Sequence, residues 1–187
     1  MISYHTAQDP ESLFEDVYAV YRDVFTEPPH SQDEHQLRDF VTGYPSHTRA
    51  PGFKLETAHI NNQLVGFAYG SGKPAGWWWG YGDTEPADEI LNAPKFAVFE
   101  WAVVRSQRGQ GVGRQILARL LAERPEPWAT LWSHPASDAY RIYLRTGWTR
   151  VATCQRPGWP AMAAMVLRLP GSRGHREAPA RRFSIHP

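Results

Sequence analysis

Apolar and polar positions along this chain follow two periods, and the switches between them set the expected elements. Leu13, Val17, Val20, Tyr21 and Val24 recur at helical spacing. Asp9-Pro10 offers cap and first-turn chemistry ahead of them, and Glu27-Pro28-Pro29 stops the run. Ser31-x-x-Glu34 is a capping-box signal for a second helix, expected to end near Gly43. Residues 2–6 read as a short first strand. Residues 53–60 alternate, Asn61-Asn62 forms a turn, and residues 64–69 return as the partner strand. A loop of roughly twenty residues over positions 70–94 is long enough to expect a function for it. Residues 96–104 form the next strand, and Ile116, Leu117, Leu120 and Leu121 mark a helix ending near Glu123. After a link at 125–127, residues 129–133 give a strand. A helix capped by Ser137 or Asp138 follows, and residues 148–153 and 162–169 make a last antiparallel pair.

The junction at residues 99–114 carries the most chemistry. An apolar strand runs into Arg108-Gly109-Gln110-Gly111-Val112-Gly113-Arg114, and a helix starts at once. Glycines lack a side chain, so backbone N–H groups can turn inward and approach a phosphate closely. The helix adds its unpaired first N–H groups and the positive end of its dipole, and Arg108 and Arg114 add charge. A plain strand-to-helix turn would need fewer glycines. A Walker loop requires Gly-x-x-x-x-Gly-Lys-Ser/Thr, which is absent, and the dinucleotide spacing Gly-x-Gly-x-x-Gly does not fit Gly109-x-Gly111-x-Gly113.

The run Arg108-x-x-Gly111-x-Gly113 resembles the coenzyme A loop of the GCN5-related N-acetyltransferase (GNAT) superfamily, Gln/Arg-x-x-Gly-x-Gly/Ala. Trp101-Ala102-Val103 is similar to that family's Leu-x-Val strand end. A second block, from Ala139 through Tyr143 to Gly147-Trp148, resembles its Ala-x-x-x-Tyr-x-x-x-Gly-Phe. Gly147 suits a helix C′ position, and Arg141 and Arg145 suit the last turns. Two positions depart from the pattern: Ala136 stands where the family often has Asn, and Arg105 where it often has Pro. The resemblance implies a mixed α+β (α/β) domain with a splayed, mostly antiparallel central sheet flanked by helices. It also implies acetyl-CoA as co-substrate, with the backbone of residues 108–114 at the pyrophosphate and Ala102 and Val103 along the pantetheine arm. The first helix pair would then cover the acceptor.

Composition narrows the rest. The 187 residues, 42% hydrophobic and 21% charged, suit one globular domain, expected over 1–169. Positions 170–187, rich in Pro, Gly, Arg and Ser, read as a disordered basic tail. A net charge of +1 argues against nucleic acid as the main partner. Cys154 is the lone cysteine, so it has no internal disulfide partner and reads as a buried bystander. No leader-like or membrane-spanning apolar run appears, giving the expectation of a cytoplasmic protein without a membrane partner.

Acyl transfer to an amine needs a proton acceptor, and the departing thiolate needs a donor. No His/Cys ligand set is evident, so no metal is expected. The resemblance makes Tyr143 the general acid, against the simpler reading of a packed helix tyrosine. Glu100 lies in an apolar strand, where desolvation raises a carboxyl's pKa toward a useful value. Strand alternation puts it on one face with Ala102, and Trp101 and Val103 on the other. Glu100 as base and Glu100 as a paired edge carboxylate are both open. His134, after a strand, is a rival base of the residue type that needs no environmental tuning for that role, and a water chain is a third choice. Trp77, Trp78 and Trp79, with Tyr81, cannot all face one core, so they are candidate walls of an acceptor pocket. The alternatives are anchors for a solvated loop or a dimer contact. Asp83, Glu85, Asp88 and Glu89 follow and could attract an ammonium group.

The expected function is N-acetyl transfer from acetyl-CoA to the primary amine of a small-molecule acceptor by direct attack. The rivals are a non-catalytic acyl-CoA-binding or sensing module on the same fold, and a nucleotide binder of another kind. The resemblance leaves a homodimer open.

Overall fold

The computed structural model describes residues 1–170, so the expected tail lies almost wholly outside the described residues. The order is β1 (Ile2–Thr6), α1 (Phe14–Phe25), α2 (Glu34–Thr48), β2 (Lys54–Ile60), β3 (Gln63–Lys73), α3 (Asp88–Leu91), β4 (Lys95–Val103), α4 (Val112–Leu121), β5 (Trp128–Ser133), α5 (Asp138–Arg145), β6 (Thr149–Cys154) and β7 (Met162–Arg168). The strands form one seven-stranded sheet in the order β1-β2-β3-β4-β5-β7-β6. Every pairing is antiparallel except that of β4 with β5. This is the mixed fold that the sequence implies. Among the described residues no helix is long and apolar enough to cross a membrane.

Each sheet face has its own core. Phe96, Val98 and Val103 join Ile116 and Leu120 of α4 and Tyr143 of α5 on one face. Ala102, Phe67 and Tyr69 join Val17 and Tyr21 of α1 and Phe40 and Tyr44 of α2 on the other. Adjacent β4 residues thus serve opposite faces, as a pleated strand requires.

Four local expectations shift. Asp9-Pro10 does not open α1; Asp9 Oδ1 accepts from Ser12 N at 3.3 Å in a turn, and the helix begins at Phe14. Pro10 O instead accepts from the Tyr44 hydroxyl at 2.8 Å, docking that turn on α2. Asp33, not Ser31, caps α2, in a reciprocal box with Gln36. Ser31 itself has φ +45°, outside cap geometry. The helix also continues past Gly43 and through Pro45 to Thr48. Glycine costs a helix only about 1 kcal/mol. Tyr44, 1% exposed and packed on Phe14, Phe40 and Tyr69, offsets that by burial. Finally, the long loop is shorter than expected, because β3 extends to Lys73 and α3 interrupts the remainder.

Lys95 holds that loop. Its side chain is fully buried, and Nζ donates to the carbonyls of Trp77 at 3.0 Å, Leu91 at 3.2 Å and Ala93 at 2.8 Å. All three ammonium donors are used, which is the condition for burying a lysine. Lys95→Met should therefore lower stability by about 2–4 kcal/mol, because three buried carbonyls lose a charged donor. Urea unfolding followed by tryptophan fluorescence would measure it; an unchanged midpoint would remove the clamp.

A candidate active site in the sheet cleft

β4 and β5 pair only from Lys95↔Trp128 to Val98↔Leu131, although β4 runs on to Val103 and β5 to Ser133. Where pairing stops, β4 also carries a bulge against β3: Tyr69 faces Glu100 and Gly70 faces Val98, leaving Phe99 without a partner. A bulge bends its strand and re-aims the next side chains. Here it puts Phe99 against the α1–α2 side, with His47 stacked at 4.3 Å. The opening holds a cavity of about 580 Å³.

Glu100, His134, Tyr143, Trp77, Trp78, Trp79 and Tyr81 all line this cavity. They come from a strand, two segments after β5 and a distant loop. Trp79 is fixed by Nε1 to Thr130 Oγ1 at 2.8 Å and by Trp132 at 5.2 Å between ring centres. Tyr81 is 61% exposed and lies at the rim. The loop acids behave differently from expectation. Asp83, Glu85, Asp88 and Glu89 are exposed and do not line the cavity, and Asp83 is bound to the Thr153 backbone at 2.8 Å.

Glu100 makes no hydrogen bond or ion pair among the described residues. Burial raises its pKa from the ordinary 4.5 to about 8. The Tyr143 hydroxyl is held well above the phenol range, first by burial and then by the Glu100 charge. Its ring packs between Trp101 and Trp148, each at 5.3 Å. His134 Nδ1 accepts from Ala136 N at 3.1 Å, which puts the neutral ring's proton on Nε2. In this geometry Nε2 offers the cleft a donor, not a base. His30 is the residue that spacing could not reveal. It stands T-shaped to His134 at 6.0 Å, with its pKa pushed down to about 4 by burial and by the neighbouring His134 and Arg108 charges. Gln32, Gln36, Arg156 and Trp159 also reach the cavity, from segments that carry no local signal.

The glycine loop lies at the end of β4. Gly111 caps α4 with φ +83°, and Gly109 has φ +76°. A Cβ at either would meet nothing within 4 Å, so the space in front of this backbone is open. The first bond of the helix is Gln115 N to Gly111 O at 3.0 Å, so the N–H groups of Val112, Gly113 and Arg114 precede it. Val112 is itself 1% exposed, so it offers the loop backbone only. Gly113 has another reason: a Cβ there would come within 2.8 Å of the Trp101 indole, whose Nε1 donates to Gly113 O at 3.0 Å. Gln110 Nε2 closes the loop onto Ser106 O at 3.1 Å. Arg114 is exposed and has no ion-pair partner among the described residues. Arg108 is partly committed: Nε donates to Val103 O at 2.9 Å, and Nη1 pairs with Glu27 at 3.0 Å. It ties the loop to the α1–α2 connection as well as adding charge.

The geometry has counterparts. Residues 14–147 match the model of the Acetyltransferase (GNAT) family. No curated protein shows significant similarity to the chain. Among solved structures, the Escherichia coli ribosomal-protein-S18-alanine N-acetyltransferase superposes with a TM-score of 0.61 at 15% identity, covering 90% of this chain and 94% of that one. Arabidopsis thaliana NAA60 with a bisubstrate analogue gives 0.61 at 16%, covering 92% and 100%. The PaiA N-acetyltransferase of Thermoplasma acidophilum, in complex with coenzyme A, gives 0.59 at 11%, covering 89% and 99%. At these identities the likeness is one of fold.

Glu100 should titrate near 8, visible by carboxyl-resolved NMR or infrared difference spectra. At Glu100 the folded chain binds more protons than the unfolded one between about 4.5 and 8, so this residue's contribution to stability is lost as pH rises through that window, whereas the lowered pKa of His30 acts with the opposite sign below about 6.5. Glu100→Gln should flatten that slope; an unchanged slope would show that Glu100 does not titrate there. Gly113→Val should displace Trp101, with a shifted indole emission and a lower Tm as the readouts; wild-type values for both would show that the close approach is not limiting.

Proposed function

The chain belongs to the GNAT acetyltransferase family, and from that premise we propose that it transfers the acetyl group of acetyl-CoA to the primary amine of a small molecule. One observation carries the proposal. A carboxyl poised near neutrality and a phenol that keeps its proton face the same cleft, where two parallel strands part.

The residues fit the coenzyme. Open space before Gly109 and Gly111, with the free first N–H groups of α4, suits a pyrophosphate held by the backbone of Arg108 to Arg114. Exposed Arg114 supplies uncommitted charge beside it. Ala102 and Val103, in the stretch of β4 that β5 does not pair, would lie along the pantetheine arm. The PaiA relative, solved with coenzyme A, supports this reading. Bound there, acetyl-CoA supplies an activated acyl carbon on a thiol leaving group.

Glu100 then does the proton work at the acceptor. In its ionised form it takes a proton from the amine as nitrogen bonds to the acyl carbon, directly or through one water. Tyr143 gives its phenolic proton to the sulfur as the carbon–sulfur bond breaks, so one proton leaves at each end and charge balances. The raised pKa of Tyr143 keeps that proton available across the working range. His134 Nε2 orients or donates rather than abstracts. Trp77, Trp78 and Trp79, with Tyr81 at the rim, wall the acceptor. The walled shape of the cavity, closed by the α1–α2 connection and the tryptophan loop, favours a small acceptor over a folded protein surface.

Titration calorimetry with acetyl-CoA, with ATP and NAD as controls, should show saturable binding to acetyl-CoA alone, and equal ATP binding would favour a nucleotide site. Thiol release with an amine panel should follow; binding without release would favour a sensing module. Turnover should rise with pH through about 8 and level off. Glu100→Gln should remove that limb and cost about 10²–10⁴ in kcat. Tyr143→Phe should lower kcat more than coenzyme affinity, and equal turnover would end its role as acid.

A further inference from the structure

We infer that the acceptor is an arylalkylamine, a monoamine with an aromatic body, and not a polyamine, amino sugar or peptide; this deepens the acyl-transfer reading and rests on it. The walls come first. Trp77 and Trp79 meet at 4.9 Å, and Trp79 reaches Phe99 at 6.2 Å and Trp132 at 5.2 Å, giving a continuous aromatic surface. Phe25 and Trp159 extend the lining. Edge-to-face and tilted rings of this kind accept a further ring at little entropic cost.

The Nε1–H groups of Trp78, Trp132 and Trp159 are buried without a partner among the described residues, so the free polar groups of these walls are mostly donors, while several others are already engaged by the protein. Both ends of the Gln36 amide are bound, Oε1 by Asp33 N at 3.1 Å and Nε2 to Gly158 O at 3.2 Å. Gln32 Oε1 accepts from Tyr21 at 2.7 Å, and Ser137 Oγ from Tyr140 N at 3.1 Å. Arg156 is held by Asp39 at 2.8 Å. A polyhydroxylated or peptide acceptor would bring donors of its own, and those it buried without an acceptor in these walls would weaken its binding.

Charge excludes the polyamines. Glu100 is the one carboxylate lining the cavity among the described residues, and it serves the reacting nitrogen. The ring faces that would take a second ammonium already carry the protein's own cations. Lys73 Nζ lies 5.4 Å from the Trp77 ring centre and 4.9 Å from that of Phe99, and the Arg156 guanidinium 5.3 Å from that of Trp159. A second positive charge on the acceptor would therefore meet cations and no free acid.

The full chain, with saturating acetyl-CoA, would be assayed by thiol release and product mass against 2-phenylethylamine, tryptamine, spermidine, glucosamine and a short peptide with a free N-terminus. The two arylalkylamines should exceed the other three in kcat/KM by at least about tenfold, the discrimination expected of an apolar pocket. Trp77→Ala should raise KM for tryptamine and leave acetyl-CoA affinity, measured by calorimetry, unchanged. Lys73→Glu should narrow the gap between spermidine and tryptamine, and it supplies a second readout should Trp77→Ala fail to fold. Turnover of spermidine, glucosamine or the peptide as good as that of tryptamine would overturn the acceptor class while leaving acyl transfer standing. Binding of acetyl-CoA with no thiol release to any amine would overturn both.

Discussion

Two parallel strands that pair for four residues and then part are the constraint on which this molecule depends. β4 and β5 are joined at Lys95–Val98 and separate beyond, while β3 stays paired with β4 to Val103 and β7 with β5 to Ser133. A sheet that closed this gap would be a better ladder and would have no cleft. Holding it open requires support from both sides. α4 and α5 pack on one face through Ile116, Leu120 and Tyr143, and α1 and α2 on the other through Val17, Tyr21 and Tyr44. The tryptophan loop then closes the outer end, held from beneath by Lys95.

Two strand glutamates show how position decides chemistry. Glu56 on β2 is 1% exposed, yet it accepts from Thr6 at 2.6 Å and Arg119 at 2.9 Å and lies 3.3 Å from Lys54. Those partners outweigh its burial and hold its pKa below the ordinary value. That cluster joins β1, β2 and α4, and is structural. Glu100 on β4 faces the cleft without a donor, so desolvation acts alone and its pKa rises. Residue type is the same in both; the number of donors within reach differs. A free carboxyl is costly to the fold, and the proposed role as base would be a reason to keep it there.

The glycine loop and the cleft are linked through one residue. Glu27, on the α1–α2 connection, pairs with Arg108 at 3.0 Å and lies 3.8 Å from Arg105. The same connection carries His30 and Gln32 into the cavity. The glycine loop and the cavity lining thus share a short path through paired side chains.

Features that act over a few residues were legible in the sequence. Glycine spacing and a strand-to-helix switch located the loop at 108–114, and alternation placed Glu100 with Ala102 and Trp101 with Val103. An apolar strand gave Glu100 its raised pKa, and three adjacent tryptophans announced a surface that a single core cannot absorb. The tertiary structure decided whatever depends on partners distant in the chain. Tyr44 keeps α2 running through Gly43 and Pro45 because of rings on α1 and β3. His30, Gln36 and Arg156 enter the cavity by the packing of α2 and the 155–160 turn, and no spacing marks them. The proton on His134 is set by a bond from Ala136, and Asp83 is tied to the Thr153 backbone and not to the cavity. Local patterns fix what each segment can be, since periodicity and backbone freedom act within a turn or a pleat. Which side chains meet, and which stay without partners, is fixed only when distant segments pack.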